Sequence, residues 1–220
     1  MRIFSAFAGG YDFLTGQPIW RAHCASLVTR FPEGDRLRVL DLGTGPGVSA
    51  IAIAGARPDL RIVGADTAPR MLERASRSVD RLGLASRVRL ALADGARLPF
   101  EDDAFDVVTA HSFLYLVDDR DGVLAEARRV LAPGGRCVFL EPRARAGFTA
   151  LRPGLRTPRF GLSMLGWRVM SKLKGRFTED TLRAAFESGG FDVLDVEASL
   201  YGLGLVITAS PRETHSRRYR

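Results

Sequence analysis

The stretch Val39-Leu40-Asp41-Leu42-Gly43-Thr44-Gly45-Pro46-Gly47 decides how the rest of this chain is read. A short apolar run ends in an acid and three alternating glycines, and the small, apolar segment Val48 to Ala56 follows. The pattern is strand, tight turn, helix. Glycines in such a turn open backbone conformations closed to other residues and let a ligand touch the main chain. The same alternation continues outward. Arg61 to Ala65 reads as a second strand, Ala68 to Leu82 as a helix, Val88 to Ala93 and Phe105 to Ala110 as further strands, and Gly122 to Leu131 as a helix. Pro133-Gly134-Gly135 then turns into the strand Arg136 to Glu141. Strands alternating with helices at this spacing require right-handed crossovers, giving an α/β, Rossmann-like doubly wound sheet with helices on both faces. Its buried strands are rich in Val, Leu and Ile, as a parallel sheet demands. The helix Thr178 to Ser188 and the strands Phe191 to Ser199 and Leu203 to Ala209 close the chain, the last two antiparallel because Tyr201-Gly202 joins them tightly.

The 220 residues, 46% hydrophobic and 26% charged, suit one packed domain and exclude a disordered or disulfide-stapled chain. We divide it into an N-terminal arm (1–36), a core (37–141), an insert (142–177), a C-terminal helix and hairpin (178–210) and a tail (211–220). Cys24 and Cys137 read as reduced thiols and the protein as cytoplasmic. The opening Met1-Arg2-Ile3-Phe4 is too briefly apolar for a signal peptide. A helix is expected from Ile19 to Arg30 in the arm. The net charge is +7, yet residues 142–177 alone hold nine basic side chains and no acid, leaving −2 elsewhere.

Three aspartates stand at successive strand ends. Asp41 opens the glycine loop, Asp66 follows the second strand in Gly64-Ala65-Asp66-Thr67, and Asp94 follows the third in Asp94-Gly95-Ala96-Arg97-Leu98-Pro99-Phe100. In a doubly wound sheet the ligand crevice lies at these carboxyl ends, beside the strand where the order reverses. A carboxylate at Asp66 accepts hydrogen bonds from both hydroxyls of a ribose, and one at Asp94 accepts from an exocyclic amine. The loop reads G-x-G-x-G rather than the dinucleotide fingerprint G-x-G-x-x-G, and no Lys-Ser or Lys-Thr follows for a P-loop.

With these motifs in order and at this spacing, the sequence resembles the class I S-adenosylmethionine-dependent methyltransferases over roughly residues 10 to 141. Leu-Pro-Phe at 98–100 and Leu131-Ala132-Pro133-Gly134-Gly135 are similar to the branch containing the ubiquinone and menaquinone biosynthesis enzymes. The resemblance implies a seven-stranded sheet with an antiparallel last strand and S-adenosyl-L-methionine as cofactor. It implies that Asp41, Gly43, Thr44, Gly45 and Gly47 hold the methionine part, Asp66 and Thr67 the ribose, Met71 the adenosine face, and Asp94 with Gly95 the adenine. Tyr11 looks like the arm tyrosine that several members fold over the cofactor. The chain departs from that branch at Tyr115-Leu116, where a His-His pair is usual, and in the basic insert.

Methyl transfer from a sulfonium is an in-line displacement that alignment and desolvation can accelerate without a catalytic side chain. An acceptor that must lose a proton wants a base, and His111, just after the fourth strand, is the candidate catalytic residue, placed also among the cofactor contacts. His23 and His215 are expected to have no chemical role. No Asp-Pro-Pro-Tyr, Asn-Pro-Pro-Tyr or Pro-Cys motif is present, which disfavours nucleic-acid bases as acceptors. Asp118, Asp119 and Asp121 read as a helix-opening loop rather than a metal site. In the insert, Leu162, Leu165, Val169, Met170 and Leu173 share one helix face. That helix either covers the pocket as a lid or lies on an anionic membrane to collect a lipophilic acceptor. The expected function is methyl transfer to a small or lipophilic molecule of the quinone, lipid or secondary-metabolite type. Non-catalytic cofactor or RNA binding is the alternative. An NAD-dependent reductase fails on loop spacing and on the lack of a Tyr-x-x-x-Lys.

Overall fold

The structure, a computed structural model, describes residues 18–146 and 158–212. Tyr11, His215 and the opening residues lie outside the described residues. The elements run α1 (Pro18–Ser26), β1 (Arg38–Leu42), α2 (Val48–Ala56), β2 (Arg61–Asp66), α3 (Pro69–Arg81), β3 (Val88–Leu92), β4 (Phe105–His111), α4 (Arg120–Val130), β5 (Leu131–Pro142), α5 (Pro158–Lys174), α6 (Glu179–Ser188), β6 (Phe191–Ser199) and β7 (Gly204–Pro211). The helix expected from Ile19 to Arg30 breaks after Ser26 into a 3-10 turn, Leu27–Arg30.

The seven strands form one sheet in the order β3-β2-β1-β4-β5-β7-β6. β3, β2, β1, β4 and β5 are mutually parallel, and β7 runs antiparallel to both β5 and β6. The order reverses between β1 and β4, so their carboxyl ends flank the switch point where a crevice must open. One face carries α4 and α6, whose Leu124, Val130, Leu182 and Phe186 pack on Leu40, Val108 and Phe139. The other carries α1 and α2, where Trp20, Leu27 and Ile53 pack on Val39, Val107 and Val138. β1 serves both faces through its alternation.

Two local readings change. β5 begins at Leu131 rather than Arg136: Leu131 pairs with Phe105 and Arg136 with Val107, so Pro133-Gly134-Gly135 is a bulge inside a strand instead of a turn before it. The larger correction concerns α5. Leu162, Leu165, Val169 and Leu173, expected to face the protein if α5 is a lid, are 58, 56, 54 and 77% exposed. Its buried face is Phe160, Ser163, Met164 and Ser171, with Trp167 and Met170 half-buried. Phe160, Met164 and Trp167 join the α1 layer while Met170 packs on the α4 layer, so α5 passes over the strand ends from one face of the sheet to the other. Arg168 donates to the carbonyl of Arg143, and Arg176 is bonded to the Arg168 carbonyl and to Ser171 Oγ at 3.0 Å, fixing the helix to the end of β5. Cys24 and Cys137 are buried free thiols, each held in the neutral form by burial.

Candidate functional site

The glycine loop is tied to the strand beside it. Thr44 N donates to the Ala65 carbonyl at 3.0 Å, and Gly45 N donates to Asp66 Oδ2 at 2.9 Å. Asp66 Oδ1 accepts from Ala68 N at 2.8 Å. The acid therefore fixes both the loop and its own turn, and burial raises its pKa against those bonds. Asp41 is fully buried. Its Oδ2 accepts from Ser49 Oγ of α2 at 2.5 Å, while its Oδ1, shut off from solvent, has no partner among the described residues. Desolvation pushes the Asp41 carboxyl up to about 6, opposed chiefly by the Ser49 bond. A buried carboxylate oxygen without a donor calls for a ligand or water there.

Asp94, by contrast, is exposed, with Oδ1 accepting from Ala96 N at 3.1 Å in a tight turn. Arg129 of α4 anchors the segment behind it, donating to the Leu98 and Phe100 carbonyls and to Asp102 and Glu126. The Leu-Pro-Phe motif is thus a docking point for α4. Thr44 lies inward: its side chain packs over Gly64 of β2, and its N–H is committed to Ala65. Met71 is buried on α3, and Thr67 is exposed at the turn before it.

Two residues that sequence reasoning missed complete the site. Phe113 follows β4, and its ring lies where a Cβ on Gly43 would stand 2.4 Å from Cδ2 and one on Gly95 3.0 Å from Cζ. Its ring stands between the glycine loop and the Asp94 turn, where a side chain at Gly43 would clash with it and one at Gly95 would require the ring to give way. Glu141, at the end of β5, is fully buried and accepts from the backbone N–H groups of Phe113, Leu114 and Tyr115 at 3.1, 2.7 and 3.1 Å. Burial outweighs these bonds and pushes its carboxyl up to about 7. Ser112 before this turn has φ 59°, a sparsely populated conformation for a non-glycine residue. The signal for Phe113 was the pair of glycines facing it; Glu141 showed only as an acid in an apolar strand.

His111 ends β4 beside this turn. Its ring meets Trp20 of α1 edge-on at 5.6 Å, and Trp20 meets Trp167 of α5 at 5.5 Å. Trp20 Nε1 donates to Ser163 Oγ at 2.8 Å, joining arm and insert over the histidine. His111 Nε2, Ser112 Oγ and Trp167 Nε1 are all shut off from solvent without partners among the described residues. Burial, aided by His23, lowers the imidazole to about 4, so it is neutral at physiological pH. His23 itself lies against Ser199 Oγ at 3.3 Å, away from the loop. Asp119 caps α4 through Gly122 N at 2.9 Å, which accounts for that acid as a helix-opening residue.

Glycine loop, ribose-type acid and sheet order together define the class. The chain belongs to the class I S-adenosylmethionine-dependent methyltransferases, and S-adenosyl-L-methionine is its cofactor. A methyltransferase domain family matches residues 40–139. A ubiquinone/menaquinone biosynthesis C-methyltransferase of Desulfotalea psychrophila is 32% identical over 93% of this chain and 86% of its own length. A demethylmenaquinone methyltransferase of Thermus thermophilus is 41% identical over 63% of this chain and 64% of its own length. A 27-O-demethylrifamycin SV methyltransferase of Amycolatopsis mediterranei is 41% identical over 67% and 60%. Among solved structures, a SAM-dependent methyltransferase from Aquifex aeolicus shares the fold at TM-score 0.66 and 16% identity, covering 84% of this chain and 88% of its own. The [4+2]-cyclase SpnF shares it at TM-score 0.69 and 19% identity, covering 88% and 82%, so the fold alone does not fix the reaction.

Proposed function

We propose that this protein transfers the methyl group of S-adenosylmethionine to a small lipophilic acceptor bearing a hydroxylated aromatic ring, of the quinol type. The observation that carries the reading is the His111–Trp20–Trp167 stack at the end of β4, an apolar setting in which an imidazole nitrogen and an indole N–H both lack partners among the described residues. Relatives named as demethylmenaquinone and ubiquinone/menaquinone methyltransferases support an acceptor of the quinone type.

The cofactor's residues fit it: the partnerless Oδ1 of Asp41 suits an ammonium or its water, and Asp66 offers both oxygens beside the loop for ribose hydroxyls, Thr67 following it. Gly43, Gly45, Gly47 and the Thr44 backbone would line the methionine part, Met71 the adenosine, and Asp94 with Gly95 the adenine. When bound, the cofactor supplies an electrophilic methyl on a sulfonium that leaves as a thioether. His111 Nε2 would take the acceptor's hydroxyl proton and so leave the ring oxygen nucleophilic toward the methyl group that the cofactor would supply. A neutral imidazole is the form able to do this. Trp167 Nε1 donates to a second ring oxygen, and Trp20 packs against the ring and excludes water.

The test is incubation with S-adenosylmethionine and a panel of catechols, hydroxyquinols and aliphatic amines, read by mass spectrometry. Methyl transfer to the ring compounds, lost in His111→Asn, is expected. Methylation of the amines alone contradicts the acceptor class. Cofactor turnover unchanged in His111→Asn removes the base.

A further inference from the structure

α5 has two faces with opposite destinations. At 3.6 residues per turn, Leu162, Leu165, Val169 and Leu173 fall within about 80° of arc, and the buried Phe160, Ser163, Met164 and Ser171 lie on the far side. The inner face packs through Trp167 and Ser163 on Trp20, which in turn meets His111. The outer one presents four branched aliphatic side chains to solvent in a single row, which is not how a soluble surface ordinarily spends its Leu and Val. Lys172 stands at one edge of that row and Lys174 at the last residue of the helix, both exposed and without an ion pair among the described residues. Arg143, Arg168 and Arg176 of the same segment are instead committed to Glu179, to backbone carbonyls and to Ser171. The whole of residues 142–177 lacks a single acid to repel a negative surface. No helix among the described residues is long and apolar enough to cross a membrane, so contact would be at the surface.

We propose that the outer face of α5 docks on an anionic lipid bilayer, with Leu162, Leu165, Val169 and Leu173 entering the acyl boundary and Lys172 and Lys174 meeting lipid phosphates. An aliphatic row with lysines at its edge and end is what interfacial helices present, and each basic group adds attraction only where the lipid is anionic. The inference rests on the lipophilic acceptor of the preceding reading, because the helix that touches the bilayer is then the one packed on Trp20 beside His111.

The test is flotation of the full chain with phosphatidylcholine vesicles and with vesicles containing phosphatidylglycerol, at low and high salt. S-adenosylhomocysteine binding by calorimetry shows that each variant is folded. Wild type should float with the anionic vesicles and be released by salt. Leu162→Gln combined with Leu165→Gln, Val169→Gln and Leu173→Gln should weaken that partition tenfold or more, and Lys172→Glu with Lys174→Glu several-fold, with S-adenosylhomocysteine affinity unchanged in both. Wild type left in solution with anionic vesicles, or flotation untouched by the four glutamines, overturns the proposal. So does a concentration-dependent dimer that the four glutamines dissolve, since a second copy would then cover the row. Vesicle binding by a protein that methylates no ring compound would sink the acceptor reading and leave the docking surface standing.

Discussion

At the scale of single residues, the crevice is set by what stands opposite each glycine. A Cβ on Gly43 would lie 2.4 Å from Phe113 Cδ2, at a φ of +65° that already disfavours any side chain. Gly43→Ala should therefore cost about 2–4 kcal/mol of stability. Introduced into Phe113→Ala, the same change meets no clash, so its cost relative to Phe113→Ala alone is the conformational part. Denaturant unfolding of the single and double variants checks this, and equal losses in both would place the strain elsewhere. His111 makes the second residue-scale prediction. With its imidazole lowered to about 4, the acid limb of kcat should fall near pH 4 rather than near 6.5. His111→Asn should lower kcat by roughly 10²–10⁴-fold while changing S-adenosylhomocysteine affinity far less. Asp41, Asp66 and the glycines were legible in the sequence because each is a residue type demanded locally by its turn or strand end. Phe113 and Glu141 were not, since their meaning comes from segments far apart in the chain: a ring against two distant glycines, and a β5 carboxylate against three amides after β4.

At the scale of elements, Glu141 links β5 to the turn that carries Ser112 and Phe113. Its folded-state carboxyl keeps its proton up to about pH 7 against 4.5 ordinarily. That raised value favours the fold fully below about pH 4.5, and the contribution is lost as pH rises to about 7. Asp41, raised to about 6, acts in the same direction, whereas lowered His111 loses its contribution as pH falls. The wild-type curve thus mixes opposing slopes. The difference between wild type and Glu141→Gln isolates the Glu141 part: wild type should lose stability relative to the variant between pH 4.5 and 7, and a flat difference would show that the three N–H bonds keep the carboxyl ionised. α5 shows where sequence periodicity stops. The spacing of Leu162, Leu165, Val169 and Leu173 gave a true stripe, but a stripe carries no sign for inside or outside. Packing chose Phe160, Met164 and Trp167 because aromatic and sulfur side chains filled the space above Trp20, with Ser163 satisfying its indole N–H. β5 likewise began earlier than Pro133-Gly134-Gly135 suggested, since a bulge keeps pairing with β4 across a sequence that locally reads as a turn.

At the scale of the whole molecule, a doubly wound parallel sheet with helices on both faces was legible because short apolar strands alternating with helices leave few un-knotted windings, whereas the strand order came from the structure. The switch point between β1 and β4 then brings the ends of three strands together, with Asp41 on β1, Asp66 on β2, and His111 and Phe113 at the end of β4. A ligand bound there should stabilise the folded chain by mass action, so saturating S-adenosylhomocysteine should raise Tm by several degrees, and Asp66→Ala should abolish most of that rise. The measurement that bears most directly on the account is calorimetric titration of the full chain with S-adenosylmethionine, S-adenosylhomocysteine and NADH, repeated on Asp66→Ala. The account predicts one-site binding of the two adenosyl ligands, no heat with NADH, and a several-fold or greater loss of affinity in the variant. Binding of NADH in their place, or adenosyl affinity unaltered by Asp66→Ala, would contradict it.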